Sequence, residues 1–197
     1  VSNYLKETTS KVFEINKEME VIYNFVDTSK YKKVNISKKI ISPIDEDDMV
    51  ITHISNFRPV KKIDNIVKVF CRVSEEVKSK LLLVGDGPEL CRIRSMVKEL
   101  NLEDKVFFAG IQQDIISILS ISDLYMLPSE SEGFGLSALE ALSCEVPVIG
   151  TNIGGLKEVI EEGKSGYTFD PDDVDSMSKA AIRILKNKKV RMEMGFE

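Results

Sequence analysis

The sequence predicts an α/β protein built on a Rossmann-like parallel sheet with helices on both faces. Three features carry this expectation. Apolar runs of four to six residues recur from Met49 onward, too continuous for strands with one wet face. They alternate with amphipathic segments whose apolar residues keep a helical spacing. All 11 glycines lie from Gly85 onward, and most stand where a strand hands over to the next segment.

The elements follow in order. Residues 1–19 read as a helix carrying Val1, Leu5, Val12, Phe13 and Ile15, and Glu20 to Asp27 as an extended stretch. Lys30 to Asp48, with Ser42-Pro43 and an acidic cluster, reads as a linker leading into a weak helix. Met49–Ile54 is the first strand, after which Ile63, Ile66, Val67, Phe70 and Val73 share a helical face. Lys80–Val84 is the second strand, closed by Gly85-Asp86-Gly87-Pro88. Pro88 suits the first turn of the next helix, marked by Leu90, Ile93, Val97 and Leu100. Val106–Ala109 is the third strand, closed by Gly110 and followed by a short helix with Ile115, Ile118 and Leu119. Leu124–Leu127 is the fourth, and its helix runs from Leu136 to Cys144. Val146–Gly150 is the fifth, followed by a short helix from Gly154 to Ile160. Gly166–Phe169 is the sixth, and Val174, Met177, Ala180, Ala181, Ile184 and Leu185 mark a closing amphipathic helix.

With 197 residues, 43% hydrophobic and 30% charged, the chain has the composition of one folded domain with room for part of a second. No apolar run is long enough to cross a bilayer as a helix. The net charge of -5 argues against nonspecific binding to nucleic acid, which depends on neutralising phosphates. Cys71, Cys91 and Cys144 lack disulfide or zinc spacing, so they are expected as buried free thiols in a reducing cytoplasm, and no metal site is expected. The chain opens at Val1 with no signal-peptide pattern, and both ends read as cuts in a longer protein.

The chemistry concentrates on Pro128-Ser129-Glu130-Ser131-Glu132-Gly133-Phe134-Gly135-Leu136, which passes from the fourth strand through a glycine turn into a helix. The first N–H groups of that helix have no internal partner and the dipole is positive there, so Gly133, Gly135 and Leu136 offer N–H groups to an anion. Arg58, Lys61 and Lys62 follow the first strand, on the same sheet edge, and can pair with a diphosphate. Glu132 and Glu140 bracket the anion site, and a carboxylate can accept two hydrogen bonds from a vicinal diol. Two sugars on either side of a diphosphate describe a nucleotide sugar. A glycosidase carboxylate pair would leave the anion site unexplained. A dinucleotide fingerprint would need glycines after the first strand, where this chain has Ser55-Asn56-Phe57. His53, inside an apolar strand, is read as a core histidine or one supporting the site from behind.

Ser131-Glu132-Gly133-Phe134-Gly135-Leu136 through Glu140-Ala141, then Pro147-Val148-Ile149-Gly150-Thr151 and Gly154-Gly155-Leu156-Lys157-Glu158-Val159-Ile160, resembles the carboxyl-terminal domain of family 4 glycosyltransferases of the GT-B fold. The two glutamates, with seven residues between them, match that family's paired signature. Leu83-Val84-Gly85-Asp86-Gly87-Pro88 and Phe108-Ala109-Gly110 match as well. Ile22-Tyr23-Asn24-Phe25-Val26-Asp27 and His53-Ile54-Ser55-Asn56-Phe57-Arg58-Pro59-Val60-Lys61-Lys62 are similar to the members that transfer N-acetylglucosamine from UDP to L-malate in bacillithiol biosynthesis.

The resemblance implies that residues 1–24 are a remnant of the amino-terminal domain and linker, and residues 25–197 the nucleotide-sugar domain. Glu132 would hold donor-sugar hydroxyls and Glu140 the ribose. Arg58 and Lys61 would add charge at the diphosphate, with Asn56, at the family's arginine position, and Lys62 as further candidates. Gly110, Ile111 and Gln112 would border the uracil, and Gly85 and Phe134 complete the donor-site set. The implied enzyme retains anomeric configuration, needs no metal or cofactor beyond its UDP-sugar donor (UDP-GlcNAc), and is cytoplasmic. Its acceptor, L-malate, would bind mainly to the amino-terminal domain. This chain alone would then bind UDP without turnover, and its oligomeric state is open. A nucleotide-binding module without chemistry and a UDP-sugar epimerase stay open beside the transferase.

Overall fold

Six strands, β1 (Met49–Ile54), β2 (Ser79–Val84), β3 (Val106–Gly110), β4 (Leu124–Leu127), β5 (Val148–Thr151) and β6 (Gly166–Phe169), pair in parallel into one sheet. A computed structural model describes residues 1–196. The order across the sheet is β3-β2-β1-β4-β5-β6, as a Rossmann-like sheet requires. The order reverses between β1 and β4, so the chain leaves their carboxyl ends in opposite directions and opens a crevice there.

The strand sequences look uniformly apolar because both faces are dry. Ile51, Leu81, Leu83, Leu124, Met126 and Ile149 turn to one face, where they meet α2 (Ile63–Glu76) and α6 (Val174–Lys186). Their neighbours turn the other way. Tyr125, Leu127 and Val148 pack with α5 (Leu136–Ser143), and Val50, Leu82 and Val84 with α4 (Ile115–Ser120). The remaining helix of the alternating series is α3 (Leu90–Glu99).

Five details depart from expectation. The first helix, α1, covers only Asn3–Val12 and stops before Glu14, which takes a left-handed φ of 50°. The linker holds a single 3-10 turn, Lys38–Ile40, in place of the weak helix. Strand β5 begins at Val148 because the Val146 N–H is committed to the Ala141 carbonyl at the end of α5, at 3.0 Å. A further helix, α7 (Lys188–Phe196), follows α6. Of the thiols expected to be buried, Cys144 is buried, Cys71 is intermediate and Cys91 is exposed.

Helix α7 is tied in by Asp123, just before β4 at the amino edge of the sheet. Asp123 accepts the Val50 N–H at 2.9 Å and pairs with Lys38 at 2.6 Å and with Arg191 at 3.3 Å. Helix α1 docks at the other edge. The Ser2 hydroxyl donates to the Gly133 carbonyl, and the Asn3 and Tyr4 N–H groups both donate to the Glu158 carboxylate at 2.9 Å. Those N–H groups open the helix and have no partner within it. Among the described residues no helix is long and apolar enough to cross a membrane.

Candidate functional site

The crevice at the reversal point is walled by the segment after β1, residues 55–62, and the segment after β4, residues 128–135. The Glu130 N–H donates to the Val60 carbonyl at 2.9 Å, joining the two backbones. Lys61 and Glu132 join their side chains, Nζ to Oε2 at 2.7 Å, each only 18% exposed.

A third loop, after β5, holds the Glu132 backbone from behind. The Gly155 N–H donates to the Glu132 carbonyl at 2.8 Å, and Thr151 Oγ1 donates to the Ser129 carbonyl at 2.7 Å. Gly154 has φ +73°, and a Cβ there would stand 2.2 Å from the Glu132 oxygen. A Cβ on Gly155 would stand 2.3 Å from the Gly133 oxygen. Only glycines let the two backbones come this close.

Helix α5 starts at Gly135, with φ 93° and no side chain capping the helix end. Leu136 and Ser137, its first two residues, line the cavity together with Asn56, Lys61, Glu132 and Glu140. The uncapped N–H groups of this helix end are free to receive an anion. Ile54 and Ser55 complete the lining.

Glu140 is half-buried. Burial raises its carboxyl pKa above the usual range, against the opposing effect of a hydrogen bond from Tyr31. That same bond to Glu140, followed by burial, raises the Tyr31 phenol. Ser143 Oγ donates to the Tyr31 carbonyl, which fixes this linker segment against α5. Tyr125 lies fully buried in β4 and donates to the Ile54 carbonyl at 3.1 Å. His53 is fully buried between Met126 O, 2.8 Å from Nδ1, and Ser55 Oγ, 2.7 Å from Nε2. Burial pulls its pKa down from 6.5 to about 4, so the ring is neutral at neutral pH.

Of the residues singled out from sequence, Asn56, Lys61, Glu132, Leu136 and Glu140 meet on this cavity. Gly133, Phe134 and Gly135 shape the turn behind it, with the Phe134 ring buried 6.2 Å from that of Tyr23. Gly85 packs against the back of Ser55, where a Cβ would stand 1.9 Å from the Ser55 oxygen. Arg58 is exposed and off the cavity wall, and no carboxylate pairs with it among the described residues. Lys62 is also off the wall, its ammonium held by Glu130 at 2.6 Å and Asp172 at 3.2 Å. Gly110, Ile111 and Gln112 stand two strands away at the end of β3. Ile111 is 79% exposed there, and Gln112 donates to the Ala109 carbonyl at 2.6 Å.

Ser55, Ser137 and Tyr31 reach the site without having been singled out. Ser55 could have been found as the first residue past the strand where the sheet order reverses. Ser137 follows the uncapped helix start directly. Tyr31 comes from the linker, and nothing local in the sequence places it.

Residues 35–196 match the family model described as Glycosyl transferases group 1. N-acetyl-alpha-D-glucosaminyl L-malate synthase of Bacillus anthracis is 42% identical over 196 residues, covering 99% of this chain and 51% of that protein. An uncharacterized glycosyltransferase of Methanocaldococcus jannaschii is 27% identical over 197 residues, covering 95% of this chain and 50% of that protein. Among solved structures, S. aureus TarM in complex with Fondaparinux, alpha-GlcNAc-glycerol and UDP is 25% identical with a TM-score of 0.83, covering 97% of this chain and 37% of that one. Sucrose-phosphate synthase from Thermosynechococcus elongatus is 25% identical with a TM-score of 0.88, covering 99% and 50%. The chain spans about half the length of these two curated relatives. The family model covers most of the chain and a relative at 42% identity covers nearly all of it, so the chain belongs to the group 1 glycosyltransferases.

Proposed function

We propose that this chain is the donor-binding half of a retaining, metal-independent glycosyltransferase that moves N-acetylglucosamine from UDP-GlcNAc to L-malate. One observation carries the donor assignment: Lys61, the uncapped start of α5, Glu132 and Glu140 share one cavity at the point where the sheet order reverses. The order of groups fits a diphosphate between two diols. Glu132 takes hydroxyls of the transferred sugar and Glu140 those of the ribose. Lys61 and the N–H groups of Leu136 and Ser137 stabilise the charge that grows on the departing diphosphate, positioned before the bond breaks. The acceptor rests on the 42% identity to the B. anthracis synthase.

Residues 25–197 form the donor domain in this proposal, and residues 1–24 belong with the half of the enzyme that binds the acceptor. A cytoplasmic setting accords with three free cysteines.

Isothermal titration of the chain with UDP, UDP-GlcNAc and NAD tests the donor assignment. Binding of UDP without NAD is expected, and the reverse result overturns it. Mass-spectrometric product identification from the whole enzyme, given UDP-GlcNAc and an acceptor panel, tests the acceptor. Absence of a malate glycoside leaves the family assignment alone standing.

A further inference from the structure

Ser55 lines the cavity yet has no part in the roles assigned above. Its hydroxyl lies 2.7 Å from His53 Nε2 and 3.2 Å from the Asn56 carbonyl. The other ring nitrogen, Nδ1, lies 2.8 Å from the Met126 carbonyl. A carbonyl only accepts, so Nδ1 must carry a hydrogen. The ring is fully buried with no carboxylate against it, so it is neutral and holds one hydrogen. Nε2 is then a bare lone pair that takes the Ser55 hydrogen. If the hydroxyl turns instead to the Asn56 carbonyl, the hydrogen is still spent inside the protein. In both orientations only oxygen lone pairs of Ser55 are left for the cavity.

We propose that Ser55 contacts the ligand solely as a hydrogen-bond acceptor, with His53 as the positioning residue that fixes it so, and that the group it receives is a sugar hydroxyl and not a phosphate oxygen. A phosphate oxygen has no hydrogen to give and would meet lone pairs head on. The phosphates are therefore turned toward Lys61 and the start of α5, and Ser55 discriminates by which end of the ligand faces β1. This rests on the nucleotide-sugar assignment and adds an orientation to it.

His53 is the single histidine of the chain, so its ring nitrogens can be read by NMR without assignment ambiguity. A hydrogen on Nδ1 and none on Nε2 is expected, and the opposite tautomer or a doubly protonated ring overturns the proposal. Titration of the Ser55→Ala variant gives the second arm. Affinity for UDP or UDP-GlcNAc should fall about three- to tenfold, the range of one neutral hydrogen bond, while inorganic diphosphate binds unchanged. Loss for UDP and UDP-GlcNAc alike identifies a ribose hydroxyl, and loss for UDP-GlcNAc alone a hydroxyl of the transferred sugar. Equal loss for inorganic diphosphate, or no loss at all, overturns the proposal. His53→Asn retains a donor for the Met126 carbonyl but removes the nearer of the two acceptors, leaving the Ser55 hydroxyl only the Asn56 carbonyl at 3.2 Å, from which an anion can draw it. Inorganic diphosphate should bind this variant a few-fold more tightly, and the gain should vanish when Ser55→Ala is added. A gain that survives Ser55→Ala, or no gain, overturns the role given to His53. If UDP fails to bind the unaltered chain, the nucleotide assignment falls and this proposal with it. If UDP binds and Ser55→Ala changes nothing, this proposal falls alone.

Discussion

Lys61 and Glu132 neutralise each other across the crevice, 2.7 Å apart. Each is also the group proposed to hold a different part of the donor, so ligand entry must part them. Glu132→Gln should therefore leave UDP binding intact or tighten it a few-fold, while UDP-GlcNAc loses its advantage over UDP. Lys61→Ala removes a charge-assisted bond and should weaken both by about tenfold or more. Calorimetry on the two variants checks the contrast. Parallel weakening of UDP in both would overturn the division of roles between the two side chains.

Burial holds the Glu140 carboxyl above its ordinary pKa. The folded chain therefore binds this proton more tightly than the unfolded chain does. The contribution to stability is full below the unfolded pKa and is lost as pH rises through the folded one. Glu140→Gln keeps an acceptor for Tyr31 and has no such loss. Its melting temperature should exceed that of the unaltered chain at neutral pH, with the gap closing toward about pH 4. The same variant should bind UDP more weakly, because an amide oxygen replaces a carboxylate at the ribose.

His53 has the opposite sign. Its folded pKa is depressed, from 6.5 to about 4, so stability is present above about 6.5 and drains away as pH falls between the two values. The loss is on the order of 3 kcal/mol. Urea unfolding across that window should show it, and His53→Asn should flatten the acid limb.

Asp123 serves Lys38, Arg191 and the Val50 N–H at once, with its side chain 14% exposed. Asp123→Ala would strand two half-buried cations and should cost about 3 kcal/mol in chemical unfolding. It lies at the amino edge of the sheet, away from the cavity, so UDP affinity should not change.

Gly154→Ala places a methyl 2.2 Å from the Glu132 oxygen and forces alanine to φ +73°. The conformational part alone costs about 1–2 kcal/mol. Thermal unfolding should reveal at least that loss. UDP-GlcNAc binding should weaken more than UDP binding, because the displaced backbone is that of Glu132.

The sheet was legible because burial on both faces writes strands as unbroken apolar runs. The paired glutamates were legible because strand, glycine turn and helix fix their positions locally. What escaped notice depends on partners far along the chain. Lys62 follows the first strand just as Lys61 does, and its pairing with Asp172, 110 residues on, has no local signal. Helix α7 has little amphipathic pattern of its own and is secured through Asp123. The end of α1 turns on Glu14, a residue type that gives no stop signal. The exposure of Cys91 follows from which face α3 turns outward, and its short apolar spacing leaves that open.

Helix α1 is fastened at its first turn by two residues remote in sequence, the Gly133 carbonyl and the Glu158 carboxylate. Gly133 follows Glu132 directly, and Glu158 ends the turn begun by Gly154-Gly155, which braces Glu132 from behind. Force applied to α1 would be delivered to both anchors of one carboxylate. The helix is a lever arm whose short end rests on the group proposed to grip the transferred sugar.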